Sequence, residues 1–179
     1  SAAYRVIWGF LRKCPASKVR FCIFDPKEGG GSVRMLSNFV NKMPDSYKRA
    51  VTQMSRTEEL LSCLKELEGQ TLDFIRDRPD YDDLLDYNAH NPRRTEAITL
   101  LMLYDFPLNA DARCLELLSS VMQKGNRCGI YVVLCRNTAV EVASSYDHID
   151  EKLAELEKNC VQIECKENGF ALLPYHLSV

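Results

Sequence analysis

Nowhere in its 179 residues does the chain carry a phosphate-binding loop of the G-x-x-x-x-G-K-[ST] type. Such a loop grips phosphate with its backbone N–H groups and its lysine, so this chain has no such grip of its own. No C-x-x-C pair occurs, and the three histidines, His90, His148 and His176, are scattered. A structural zinc site needs clustered ligands, so none is expected. Charge of one sign is also missing: 23 basic residues face 25 acidic ones, for a net charge of −2. That balance gives no overall positive field to recruit nucleic acid or an acidic membrane, and Arg93-Arg94 is too short to count as a basic patch. No apolar run approaches the roughly 20 residues that span a bilayer. The apolar start, Ser1 to Leu11, lacks the basic lead and small-residue cleavage site of a secretory leader.

Cysteine, by contrast, is plentiful: Cys14, Cys22, Cys63, Cys114, Cys128, Cys135, Cys160 and Cys165. Cys22 and Cys135 lie inside apolar runs, where a thiol behaves as a small hydrophobe. Reduced thiols and a reducing cytoplasmic setting are therefore expected. Hydrophobic residues make up 46% and charged residues 27%, the balance of a globular chain able to bury a sizeable core. Residues 1–179 read as one domain, without repeats, low-complexity stretches or linkers.

Three short, nearly continuous apolar runs stand out: Val19 to Phe24, Ile98 to Tyr104 and Ile130 to Cys135. Each suits a strand covered on both faces, as in a parallel sheet. Helical spacing fills the intervals. Ile7, Phe10 and Leu11 define a first helix closed by Pro15. Leu60, Leu61, Leu64, Leu67 and Ile75 define a long one, for which Ser55 and Glu58 form a capping-box pattern. A short helix over Tyr81 to Tyr87 is followed by a polar connection, Asn88 to Arg94. Leu115, Leu118 and Met122 share a helix that ends near the Gly125–Gly129 turn, and Asp147 to Lys158 make another. Val161 to Cys165 and Phe170 to Leu173, joined through Asn168-Gly169, read as a β-hairpin. Strands alternating with helices predict an α/β fold: a mostly parallel sheet, helices on both faces, and a C-terminal hairpin.

Chemistry-bearing residues fall where strands end. Asp105 closes the most apolar run, at the sheet edge where α/β proteins bind ligands. It either helps to hold a magnesium ion, as the acid of a nucleotide hydrolase does, or starts the turn before Pro107. A second acid commonly follows the first in such enzymes; here Phe106 stands in its place. Asp25-Pro26-Lys27 follows the first run and leads into the glycine-rich Lys27 to Ser32, which reads as a flexible turn or a phosphate contact. Asn137 and Thr138 follow the third run; a polar residue there either senses a phosphate or water, or caps the next helix. Arg127 precedes that run, as an ordinary solvated arginine or as one that reaches a neighbouring subunit's phosphate.

Taken in order, these segments resemble the FtsK/SpoIIIE family. "CPASKVRFCIFDPKEGG" is similar to its helix, strand and D-P-K stretch, and "YDDLLDYNAHNP" to the segment before its Walker-B strand. "LLMLYDFP" is similar to that strand, and "LELLSSVMQKGNRCGIYVVLCRN" to the helix, G-R turn and sensor strand. Order and spacing agree over roughly residues 5–138. The resemblance implies a RecA-like, P-loop-NTPase-type core that works in a ring as a motor ATPase, translocating DNA or, in secretion relatives, protein. It implies ATP and Mg²⁺ as cofactors of an intact parent, with none expected for this chain alone. Asp105 matches the Walker-B aspartate that holds Mg²⁺ through water. Asn137 falls near the sensor position and Arg127 on the arginine of the G-R turn, a possible trans arginine. The missing phosphate loop makes the chain either a fragment of a larger ATPase, cytoplasmic and with a membrane tether of the parent left open, or a non-catalytic ATPase-fold module serving protein–protein assembly.

Overall fold

A computed structural model describes residues 2–27, 38, 40–42, 44–139, 149–166 and 169–172; the side chains of 2–4, 164–166 and 169–172 lie outside the description. Its centre is a four-stranded, all-parallel sheet in the order β2-β1-β3-β4, built from β1 (Val19–Phe24), β2 (Val51–Met54), β3 (Ile98–Phe106) and β4 (Ile130–Arg136). The three apolar runs are the three strands expected, and β1 and β3 have the near-continuous burial that a two-sided sheet requires.

Alternation along the strands sorts their side chains between two cores. Cys22, Phe24, Leu101 and Leu103 face one layer, with Val132 and Leu134 at its margin. That layer is covered by α3 (Thr57–Asp77), α5 (Ala112–Lys124) and α6 (Ile149–Lys158) through Leu60, Leu64, Leu115, Leu118, Leu153 and Leu156. Phe21, Ile23, Leu100 and Met102 face the other layer, where α1 (Ala2–Lys13) supplies Ile7, with Phe10 and Leu11 half-buried beside it. Leu101 and Leu103 are wholly buried, and each such side chain contributes about 1.5–3 kcal/mol. Helices thus cover both faces, and no described helix is long and apolar enough to cross a membrane.

Several boundaries differ from the sequence reading. The strand β2 and the short helix α2 (Asp45–Lys48) were not anticipated: β2 is four residues long, with Thr52 and Gln53 exposed, so it has no apolar signature. It is an edge strand whose register against β1 pairs Phe21 with Val51 and Phe24 with Met54. The short helix α4 runs from Leu84 to His90 rather than from Tyr81, because the Asp83 carboxylate accepts the Asp86 N–H at 2.8 Å and fixes the start there. β3 continues through Asp105 to Phe106 instead of ending before them. The hairpin is present as β5 (Ile163–Lys166) paired antiparallel with β6 (Gly169–Leu172); Leu173 lies outside the described residues, as do Asp147 and His148 of the predicted last helix.

The cap of α3 lies one residue later than Ser55 and Glu58 implied. Arg56 is the N-cap, and arginine has no acceptor to offer, so only the acidic half of the box operates. Glu59 accepts the N–H groups of Ser55 at 2.9 Å and Arg56 at 3.2 Å, and the Arg56 guanidinium at 2.7 Å. The Ser55 N–H first, then the Arg56 side chain and its N–H, draw the Glu59 carboxyl down to about 2 from an ordinary 4.5. Because the folded value lies below the unfolded one, this stabilisation is complete above about 4.5 and is lost as pH falls toward 2. Glu59→Gln should therefore lower Tm by a few degrees at pH 7, and the difference from wild type should close between pH 4.5 and 2 in paired thermal melts. A pH-independent gap would show that charge is not what the cap uses.

Candidate functional site at the carboxyl edge of the sheet

Parallel strands bring all their carboxyl ends to one edge. The registers place Phe24 of β1 beside Leu103 of β3, and Leu103 beside Leu134 of β4. The strand ends and the segments just beyond them therefore meet: Asp25 to Lys27 after β1, Asp105 at the end of β3, and Asn137 after β4. A register shift between Leu103 and Phe106 re-aims the end of β3. Asp105 there adopts φ +48°, a left-handed conformation that aspartate tolerates better than most side chains.

The carboxylate of Asp105 is held on both oxygens. Asn137 Nδ2 donates to Oδ1 at 2.7 Å, and the Lys27 ammonium lies 2.9 Å from Oδ2. Lys27, ahead of Asn137, holds the Asp105 carboxyl below the usual carboxylate range, against the opposing pull of partial burial. The group is thus an anion at neutral pH. Asp105 also opens a turn, but with its backbone: its carbonyl accepts the Leu108 N–H at 2.9 Å. The backbone thus makes the turn, and the side chain is left to its pairing with Lys27 and Asn137.

Around this centre the supporting groups are themselves fixed. Asn137 donates its N–H to the Phe106 carbonyl at 2.9 Å, and its Oδ1 accepts the Ala139 N–H at 3.0 Å. That Asx turn orients its amide toward Asp105. Residues 140–148, where a helix capped by Asn137 or Thr138 would begin, lie outside the described residues. Asp25 is 4% exposed, and its Oδ1 accepts the Lys27 N–H at 3.0 Å, pinning the backbone from which the lysine reaches across. The D-P-K segment thus works as a support and its cation, a role not readable from the sequence. Glycines 29–31 lie outside the described residues. Arg136 also belongs to the edge: it donates to the Asn137 carbonyl at 3.0 Å and pairs with Glu157 at 2.8 Å.

Arg127, a predicted site residue, and Phe106, which stands where a second acid is commonly found, lie elsewhere. The Phe106 side chain is buried in the core layer under α3 and α5, so the position after Asp105 points away from the edge. Arg127 precedes β4 in the Gly125–Cys128 turn, at the opposite edge of the sheet. The seven residues of β4, about 20 Å, separate it from Asn137. Its guanidinium donates to the carbonyls of Asp82 at 2.9 Å and Tyr81 at 3.0 Å.

Among the described residues, no three or more His, Cys, Asp and Glu side chains cluster to cage a metal. Magnesium bound with a nucleotide keeps several waters and takes one or two carboxylates beside the phosphates. One ionised carboxylate at a strand end fits an ion of that kind, carried in by phosphate, and holds a free divalent ion only weakly. Asp105 is the residue that would face it, through the metal's water shell.

No family model matches the chain, and no curated protein sequence matches it significantly. Solved structures do match. A monomer form of the pCW3 conjugation coupling protein TcpA with ATPγS superposes with a TM-score of 0.55 at 12% identity, over 75% of this chain and 38% of that one. ATPases 2 and 3 of EssC from Geobacillus thermodenitrificans give 0.55 at 14% identity, over 77% and 26%. The cytoplasmic domain of the type VII secretion ATPase EccC from Thermomonospora curvata gives 0.53 at 17% identity, over 82% and 16%. The chain spans well under half the length of each of these. At such identities the likeness is one of fold: the chain has the α/β, RecA-like fold of FtsK/SpoIIIE-type ATPase cores that its sequence resembles.

Proposed function

We propose that this chain is a section of a longer motor ATPase, and that the carboxyl edge of its sheet is the part of the site that faces the metal–nucleotide. The observation that carries this reading is the meeting of Asp105, Asn137 and Lys27 from three strand ends on one ionised carboxylate. In the parent, ATP and Mg²⁺ are the cofactors, and the metal supplies charge neutralisation on the phosphate oxygens. Asp105 would support the metal's water shell by its charge, and Asn137, which fixes the carboxylate's orientation, would sense a phosphate or an attacking water. Arg127, on the far edge, can serve only the site of a neighbouring subunit in a ring, and must first release the Tyr81 and Asp82 carbonyls. The parent works in the cytoplasm. The neighbours include a conjugation coupling protein and a secretion ATPase, so DNA and protein are the two polymers for it to move.

A second reading, a non-catalytic ATPase-fold module that serves assembly, has its own support. The Phe106 side chain is buried where a second acid would be needed, and Lys27 already neutralises Asp105. The phosphate loop decides between them. Affinity for phosphate in such folds comes from the loop's N–H groups and lysine, which this sequence lacks. Calorimetry with ATP–Mg²⁺ should show weak or no binding to the 179-residue chain and micromolar binding to the full-length protein. Micromolar binding by the chain alone would make the Lys27 to Ser32 stretch an unrecognised phosphate cradle. No binding by the full-length protein would leave the assembly module.

A further inference from the structure

An ammonium paired with a carboxylate repels a divalent cation and competes with it for the carboxylate's charge. The Lys27 Nζ lies 2.9 Å from Asp105 Oδ2, the oxygen left open once Asn137 has taken Oδ1. Without Lys27, Asp105 would be a partly buried anion with one oxygen facing the edge; with it, the charge is already answered. Lys27 itself is built to leave. Its side chain is half exposed, and its N–H, not its ammonium, is what Asp25 anchors. A lysine is a flexible point charge whose ammonium can change partners while its backbone stays fixed.

We propose that Lys27 is a displaceable counter-ion that closes the Asp105 site while no metal–nucleotide is bound. It yields Oδ2 to the divalent cation's shell and moves its ammonium onto a phosphate oxygen of the entering nucleotide. The exchange conserves charge pairing: the ammonium passes from carboxylate to phosphate, and the carboxylate from ammonium to metal. A free divalent cation brings no phosphate to receive the lysine, so the closed site discriminates metal–nucleotide from metal alone. This inference rests on Asp105 being the metal-facing carboxylate of the proposed function.

The probe is Mn²⁺ without nucleotide, and the readout is paramagnetic broadening of the Asn137 side-chain amide in ¹⁵N spectra of the 179-residue chain. That amide nitrogen sits 2.7 Å from Asp105, so an ion bound at the carboxylate erases its signal. Lys27→Met keeps the length of the side chain and removes the charge. A cation within hydrogen-bonding distance lowers a carboxylate's proton affinity by about tenfold or more and repels a metal cation by the same field, so Lys27→Met should broaden the amide at about one tenth of the Mn²⁺ that wild type needs. Lys27→Gln should do the same, and adding Asp105→Asn should abolish the effect. Identical Mn²⁺ titrations for wild type and both Lys27 variants would overturn the proposal, as would broadening that survives Asp105→Asn. The two readings separate cleanly. Enhanced Mn²⁺ binding beside an unimpaired full-length Asp105→Asn enzyme keeps the counter-ion and removes the ATPase role. Lost turnover beside unchanged Mn²⁺ titrations does the reverse.

Discussion

If the proposed function holds, Asp105→Asn in the full-length protein should reduce ATP turnover roughly 10- to 100-fold, the range measured when a group that supports a metal's shell is lost, while the thermal melt stays near wild type. The two halves of this expectation have different physical sources. Asparagine has almost the shape of aspartate, keeps an acceptor for the Asn137 amide, and suits φ +48° at least as well. The turn is made by the residue-105 carbonyl and the Leu108 N–H, which the change does not touch. The lost ion pair is with a half-exposed lysine, and such pairs contribute about 0–1 kcal/mol. Stability therefore has little to lose. Activity has much to lose, because the amide carries no charge with which to hold a magnesium shell against the charge developing on phosphate. Near-normal turnover with a normal melt would reduce Asp105 to its backbone role in the turn.

That two-sided role shows why some of the site was legible in the sequence and some was not. Apolar runs announce buried parallel strands because both faces are covered, and β1, β3 and β4 appeared with errors of two residues or fewer. The residues that end such strands, Asp105 and Asn137, are then legible too. Strand order is not. Nothing in "VRFCIF" or "ITLLMLY" says that β1 lies beside β3, so the contact of Lys27 with Asp105 waits on the folded sheet, although the D-P-K segment sat in view after β1. The polarity of the edge strand β2 hid it, since Val51–Met54 buries only Met54 fully. Caps were misread at one helix and unread at two others. Asp83 and Asp111 accept N–H groups three residues on, at 2.8 and 2.7 Å. At α3, the template that wants Ser or Thr chose Ser55, whereas the backbone placed acceptor-less Arg56 at the cap and let Glu59 do the accepting. Phe106 is the instructive case for function. The position after Asp105, where a nucleotide hydrolase commonly carries a second acid, is turned by the irregularity between Leu103 and Phe106 out of strict alternation and into the core layer of Leu101 and Leu103.

Gly129→Ala is expected to destabilise the fold by about 2–5 kcal/mol. Gly129 ends the turn before β4 with φ +71° and ψ +21°, and a left-handed backbone costs an alanine about 1–2 kcal/mol. Its added Cβ would stand 3.3 Å from the Cβ and Cγ of Leu84 and well inside contact distance of Cδ2. Leu84 is 1% exposed in the main core layer, so it has nowhere to retreat without strain of about 1–3 kcal/mol. The backbone of Gly129 also matters downstream: its carbonyl accepts the Thr99 N–H at 2.9 Å and so sets β4 against β3 from the first residue. Such a loss is a large fraction of the roughly 5–15 kcal/mol that holds a domain folded, and corresponds to a fall in Tm on the order of 10 °C. A double-mutant cycle separates the two causes. Leu84→Ala alone costs about 2–5 kcal/mol through its cavity. In the Gly129→Ala/Leu84→Ala protein the clash is gone but the left-handed strain remains, so the pair should fall short of additivity by about the clash. Full additivity would place the whole cost in the backbone. A Gly129→Ala protein that melts like wild type would mean that the turn does not hold the left-handed geometry from which β4, and with it Asn137, is launched.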